Sequence, residues 1–140
     1  MTSKSFLFIG TYTDGDSEGI YVYSLDHQSG ELQPISVTVG IKNPAFIEIH
    51  PSQELLYAVS EISDGGGLIT SYAIDPSTGS LNYINQQTTG DDGPCHLSID
   101  SSGDVIAVAN YSGGSITTIP IESDGSLGSP TGFIKHCGSS

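Results

Sequence analysis

Short apolar runs and polar turns alternate along this chain in a pattern that repeats about every fifty residues. A Gly-x-Leu signal stands at Gly30, Gly79 and Gly125, and these glycines are 49 and 46 residues apart. Each repeat contains one continuous aliphatic run and one run in which apolar and polar residues alternate. No segment has apolar residues at helical spacing, so the pattern predicts an all-β repeat protein.

Each complete repeat predicts four short antiparallel strands, called A to D in chain order. Strand A is predicted at 44–50 and 94–100, and the continuous aliphatic run that follows is strand B. The alternating run is strand C, and strand D follows a Ser-Gly or Asp-Gly turn whose glycine can adopt a positive φ. Four antiparallel strands at this period are typical of a β-propeller blade. Strand B is predicted to lie between neighbouring blades, and strand C nearer the rim.

The repeats divide the chain into three predicted blades, at 1–42, 43–92 and 93–140. The first begins at strand B and lacks strand A, so the total is about two and three-quarter blades, whereas a closed propeller has about four to eight. An incomplete ring leaves blade faces and strand edges open. We therefore expect either homo-oligomerisation or further C-terminal blades in a longer protein.

Composition narrows the range of partners. The 140 residues include 16 acidic and three basic side chains, for a formal net charge of −13. Such a charge disfavours nucleic acid and anionic membranes as partners. No run is long or apolar enough for a signal peptide or a membrane span. Two cysteines, Cys95 and Cys137, do not form a disulfide framework, and we predict a cytoplasmic protein.

Several motifs resemble one known family: Gly-Thr-Tyr-Thr at 10–13, Asn-Pro-Ala-Phe at 43–46, Gly-Pro-Cys-His at 93–96, Asn-Tyr-Ser-Gly-Gly at 110–114 and His-Cys-Gly-Ser-Ser at 136–140. Together they are similar to the bacterial lactonase family of propeller-type 6-phosphogluconolactonases, which is related to fungal 3-carboxy-cis,cis-muconate lactonising enzymes. The resemblance covers almost the whole chain. It implies a seven-bladed propeller of which this is the N-terminal portion.

The same resemblance implies an enzyme of carbohydrate metabolism that hydrolyses a sugar δ-lactone, by default 6-phosphoglucono-1,5-lactone, without a cofactor. A phosphorylated lactone is a dianion that proteins usually hold with arginine or lysine. The chain has no arginine, and Lys42 is its lysine closest to the predicted rim. We therefore expect the phosphate to be bound by later blades in a complete family member.

Propeller geometry groups the candidate site residues. The loop before strand A and the loop after strand B open on one face, so their residues converge around the channel mouth. A lactone hydrolase needs a base that activates water and donors for the developing oxyanion. The predicted catalytic residues are His96 and Glu61. The predicted substrate-binding residues are Tyr12, Asn110, Tyr111 and His136.

Other groups are assigned no chemistry. His50 precedes a proline on the opposite face and is predicted to be structural. The acidic loop at 14–18 lacks the full spacing of a calcium loop, and Cys95 with His96 has no second pair that would complete a zinc site. Because adjacent strand residues point to opposite faces, these two are not expected to act as a nucleophile pair. The alternative function is a non-catalytic partial propeller that serves as a binding or scaffold module through homo-oligomerisation.

Overall fold

The computed structural model describes residues 3–138 and arranges their strands in three antiparallel sheets, here named blades 1 to 3. Blade 1 contains β1 (Lys4–Ile9), β2 (Ile20–Asp26) and β3 (Leu32–Thr38). Blade 2 contains β4 (Phe46–Ile49), β5 (Leu55–Ser60), β6 (Leu68–Ile74) and β7 (Leu81–Thr88). Blade 3 contains β8 (Pro94–Ile99), β9 (Val105–Asn110), β10 (Ser115–Pro120) and β11 (Gly132–Lys135). The prediction of an all-β protein built from propeller blades is confirmed.

Consecutive strands pair within each blade, and blade 1 lacks a strand A in the described chain. The pairs Ser60↔Leu68 and Asn110↔Ser115 close the tops of β5–β6 and β9–β10. β1 pairs with β2 in the same way, so β1, β5 and β9 are the three B strands. The predicted strand order therefore holds in all three blades.

The B strand of blade 2 supplies both hydrophobic cores of the molecule. Leu56 and Ala58 pack with Ile20 in the core between blades 1 and 2. Tyr57 and Val59, on the other side of β5, pack in the core between blades 2 and 3. Because side chains alternate along a strand, a strand with a blade on each side must be apolar at every position. This explains the continuous aliphatic run in the sequence.

Strand C differs from its predicted alternation where both sides of a blade are covered. In β6 the residues 69–72 are all buried, including Thr70 and Ser71. In β10 the alternation persists, because Ile119 packs against blade 2 while Ile116 lies on the uncovered side of blade 3. The burial of strand C thus depends on the neighbouring blade as well as on its distance from the rim.

His50 connects blades 2 and 3 at the face opposite the candidate site, as its predicted structural role requires. Its Nε2 lies 2.9 Å from the carbonyl oxygen of Gly103, and its Nδ1 lies 3.0 Å from the backbone nitrogen of Ser52. Since a carbonyl oxygen only accepts, the proton is on Nε2 and Nδ1 accepts from Ser52. A Cβ at position 103 would meet the imidazole, so glycine is needed for this contact.

Candidate active site

The loops after the B strands and before the A strands form one face of the molecule, here called the rim face (residues 10–19, 39–45, 61–67, 89–93 and 111–114). Two equivalent hydrogen bonds join these loops. The backbone nitrogen of Glu61 donates to the carbonyl oxygen of Asn43 at 3.0 Å, and that of Tyr111 donates to Gly93 at 2.8 Å. Glu61 is therefore equivalent to Tyr111, and it is offset by one residue from Asn110.

Tyr12 and Glu61 form the central contact of the rim face. The Tyr12 hydroxyl of blade 1 donates a hydrogen bond to Glu61 Oε2 of blade 2 at 2.7 Å. This bond raises the pKa of Tyr12 above its ordinary value, and burial and the Glu61 charge add to the effect. The phenol is thus a protonated donor at neutral pH.

His96 is the third residue of β8, which begins directly after the rim-face loop 89–93, and it is exposed. Its ring stacks on Phe46, the equivalent residue of blade 2, with centroids 4.3 Å apart and planes tilted by 43°. Within residues 3–138 the imidazole forms no hydrogen bond, so its nitrogens are available to water or a ligand. The aromatic contact orients the ring without occupying its polar atoms.

A β-bulge lies between Pro94 and His96. Pro94 pairs with Asn110 and His96 with Ala109, so Cys95 is the additional residue on β8. Such a bulge interrupts the regular alternation of side chains and is common beside functional sites. The expectation that Cys95 and His96 point to opposite faces assumed a regular strand, which this segment is not. The thiol of Cys95 is free and partly buried.

The other predicted substrate-binding residues occupy different environments. Asn110 is only 2% exposed, and its Nδ2 donates to Ser115 and Thr117 at 3.1 and 3.0 Å. Its amide therefore lies inside blade 3, beneath the rim face, and its Oδ1 has no partner in the described chain. Tyr111 and His136 are exposed. The structure thus joins Tyr12 and Glu61 by a hydrogen bond, and among residues 3–138 no side-chain hydrogen bond joins these two to Asn110, Tyr111 or His136.

Asp91 is a further rim residue, which was not among the sequence-based candidates. Ser115 Oγ donates to its Oδ2 at 2.6 Å, and Lys135 Nζ lies 3.0 Å from the same oxygen. The Ser115 bond, the backbone bond from Asp92 and Lys135 lower the pKa of Asp91 to about 2. The carboxylate thereby joins the loop before β8 to β10 and β11. No sequence motif marks it, because its partners lie 24 and 44 residues away.

The lowered pKa of Asp91 predicts that the folded protein loses stability in acid. The pKa is lowered in the folded protein, so the carboxylate stabilises the fold above its ordinary pKa of 3.8 and this contribution disappears as pH falls to about 2. We expect Asp91→Asn to be less stable than the wild type at pH 6, with the difference shrinking toward pH 2 in urea unfolding. Asp16→Asn, at an exposed loop position, is the control. An Asp91→Asn deficit that is equal at pH 6 and pH 3 would contradict this assignment.

The rim face provides no metal cage among the described residues. No group of three or more potential metal ligands occurs in residues 3–138. In the acidic loop of blade 1, the Asp14 carboxylate instead accepts a hydrogen bond from Asn43 Nδ2 at 3.1 Å. Over the same residues, no helix has both the length and the apolar character needed to span a bilayer.

The blades and their rim face define a lactonase-type propeller. The model of the family described as "Lactonase, 7-bladed beta-propeller" matches residues 6–140, and the chain belongs to this family. It is 35% identical to the 6-phosphogluconolactonase of Bacillus subtilis over 136 residues, which are 97% of this chain and 39% of the relative. It is 33% identical to the 6-phosphogluconolactonase of Formosa agariphila, with 95% and 38% covered.

Solved structures agree with this assignment. The structure of the Pseudomonas aeruginosa periplasmic gluconolactonase superposes with a TM-score of 0.89 at 37% identity, covering 96% of this chain and 39% of that protein. The chain therefore spans about two fifths of the length of these relatives. The resemblance found in the sequence motifs is confirmed.

Proposed function

We propose that the protein is a lactone hydrolase that converts 6-phosphoglucono-1,5-lactone to 6-phosphogluconate in carbohydrate metabolism. The observation that carries the proposal is the Tyr12–Glu61 hydrogen bond, which holds a carboxylate on the rim face. The exposed His96 ring stacks on Phe46, whose strand partner Val59 is two residues before Glu61. The names of the curated relatives support the substrate. A carboxylate and an imidazole are the groups that water activation and oxyanion stabilisation need.

In the proposed mechanism Glu61 is the general base and His96 is a hydrogen-bond donor. Tyr12 occupies Oε2 of Glu61, which leaves the other carboxylate oxygen free to accept a proton from water. The water oxygen attacks the lactone carbonyl carbon, and a ring N–H of His96 donates to the oxyanion. The ring C–O bond then breaks, and its oxygen takes the proton from Glu61. The products are the hydroxy acid and the unchanged enzyme.

We also propose that the uncovered side of blade 3 packs against a further blade. Ile116 and Ile134, paired on β10 and β11, expose much of their surface there, and Ile134 is 62% exposed. Apolar side chains that adjoin each other on an open sheet face usually contact another layer. The relatives are more than twice as long as this chain, so a further blade is the occupant that fits best.

The function is tested with the chain alone and with a chimera that continues into the part of the Bacillus subtilis relative beyond the matched region. We expect the chimera to be a monomer by light scattering and to hydrolyse 6-phosphoglucono-1,5-lactone, with glucono-1,5-lactone as the comparison substrate. We expect the chain alone to self-associate through its open faces and to be far less active. A folded, monomeric chimera that hydrolyses neither lactone would refute the proposal.

A cytoplasmic location is proposed together with this substrate. Two free cysteines, Cys95 and Cys137, are consistent with a reducing compartment. The Pseudomonas aeruginosa neighbour is a periplasmic gluconolactonase, so the family fold occurs in more than one compartment. Hydrolysis of a phosphorylated lactone in the pentose phosphate pathway would fit the cytoplasm, where sugar phosphates are produced.

A further inference from the structure

Asn43 and Gly93 occupy equivalent positions before the A strands of blades 2 and 3. Both have left-handed backbones, with φ of 45° and 63°. Each carbonyl oxygen accepts a hydrogen bond from the backbone nitrogen of the residue that follows strand B. For Asn43 this residue is Glu61, and for Gly93 it is Tyr111. Glycine adopts this backbone without steric cost, whereas other residues do so with difficulty. The turn therefore needs a left-handed residue but no side chain, and the side chain of Asn43 must have a separate role.

The side-chain oxygen of Asn43 binds the rim loop of blade 1. Its Oδ1 accepts hydrogen bonds from the backbone nitrogen of Thr13 at 2.7 Å and from Thr13 Oγ1 at 3.2 Å. The same hydroxyl accepts from the backbone nitrogen of Asn43 at 3.0 Å. This reciprocal contact joins two residues that are 30 positions apart. It anchors the residue directly after Tyr12 to blade 2.

The amide nitrogen of Asn43 contacts the backbone of Glu61, the carboxylate partner of Tyr12. Asn43 Nδ2 donates to the backbone oxygen of Glu61 at 3.3 Å and to Asp14 Oδ2 at 3.1 Å. Asn43 as a residue is 6% exposed, so these bonds are shielded from water, which would otherwise compete for the same groups. A single amide thus binds the loop that carries Tyr12 and the backbone that carries Glu61.

The ring of Tyr12 receives little support from packing, because 59% of its surface is exposed. An exposed phenol has many rotamers that do not touch the carboxylate. It stays in contact only if the backbones of the two residues are held at a constant separation. We propose that Asn43 is a positioning residue that sets the backbone separation at which Tyr12 contacts Glu61. Its consequence for catalysis rests on the proposed function, whereas its effect on the Tyr12–Glu61 contact does not.

The variant Asn43→Gly tests the contact directly, because glycine tolerates the left-handed backbone and lacks the side chain that carries the amide. The chain is labelled with tyrosine carrying 13C at Cζ, and the Tyr12 signal is assigned with Tyr12→Phe. We expect the Tyr12 pKa to fall toward its ordinary value in Asn43→Gly, as it should in the reference variant Glu61→Ala, which removes the acceptor. Gln53→Gly is the matched control, since Gln53 has φ of 64° but lies on the opposite face.

Thr13→Val is the second variant, because it removes the hydroxyl partner of Asn43 with little change in shape. We expect it to shift the Tyr12 signal in the same direction as Asn43→Gly. An unchanged Tyr12 titration in a folded Asn43→Gly or Thr13→Val chain would overturn the proposal. The readout reports the Tyr12 hydroxyl itself, which a purely structural role of Asn43 would leave unchanged.

Kinetics of the chimera test the catalytic consequence separately. We expect Asn43→Gly to lower kcat by about 10- to 100-fold, since small displacements of catalytic groups have effects of this size. Adding Tyr12→Phe should then lower kcat little further, because both changes act on the same contact. Full additivity of the two changes would refute the positioning role. A shifted Tyr12 signal in a chimera without lactonase activity would uphold the contact and reject the proposed function.

Discussion

Replacing Glu61 with glutamine is expected to reduce kcat for lactone hydrolysis by at least about 100-fold, the lower end of the contribution of a general base. Glutamine has nearly the same shape as glutamate, and its side-chain oxygen can still accept the Tyr12 hydrogen bond. It cannot take a proton from water. The variant therefore separates proton transfer from positioning, and kcat and KM measured on the chimera report the difference.

Two controls make this result specific. Glu54→Gln changes an exposed carboxylate on the opposite face and is expected to leave kcat unchanged. His96→Ala, which removes the proposed oxyanion donor, is expected to lower kcat by about 100-fold as well. A chimera that retains more than half of its kcat after Glu61→Gln would exclude Glu61 as the base. In that case His96 would be the remaining candidate of the two predicted catalytic residues.

Gly10→Ala is expected to destabilise the fold by about 3 kcal/mol, the upper part of the usual range for overpacking. A Cβ on Gly10 would lie 2.1 Å from the backbone oxygen of Pro44 and 3.5 Å from Ile47. Pro44 is buried at the start of blade 2, so its backbone cannot move without separating blades 1 and 2. Glycine is required here because two backbones approach each other closely. Urea unfolding measures the difference.

Gly15→Ala is the matched control for this substitution. Gly15 lies in the same rim loop and has no positive φ, and a methyl group added there would have no neighbouring atom within 4 Å. We expect its effect to stay within about 0.5 kcal/mol, as for most surface substitutions. Equal unfolding midpoints for Gly10→Ala and Gly15→Ala would show that blades 1 and 2 can separate at Pro44. Gly10→Ala also displaces Tyr12, so lactonase activity should fall together with stability.

Much of the fold could be predicted from the sequence because each repeat encodes its own strands. The aliphatic run of β5 places Leu56 toward blade 1 and Tyr57 toward blade 3 by simple alternation. The turn glycines, such as Gly79 with φ of 74°, mark the hairpins that separate the strands. These signals are local, and the backbone geometry of a strand or a tight turn translates them directly into structure.

The candidate site was predicted less completely, because its contacts cross blades. The rim positions of Tyr12 and Glu61, and the place of His96 at the start of β8, follow from the strand order. Asn110 was expected beside them, but it lies two residues beyond Val108 on the same side of β9, and its amide turns into the blade. Asn43 was not among the candidates, because a residue directly before a strand-opening proline, like Gly93, predicts only a turn. The distances from its amide to Thr13 and Glu61 reveal its contacts.

The repeat, the strand order, the family and the face on which chemistry is expected can all be read from the amino-acid sequence. The side-chain pairs that meet on that face emerge only when the blades pack: Tyr12 with Glu61, His96 with Phe46, and Asp91 with Lys135. The physical reason is the distance along the chain between the residues that determine each feature. Strand and turn patterns depend on neighbours within a few residues, whereas these contacts depend on how loops and rigid sheets pack against one another, which a small displacement would change.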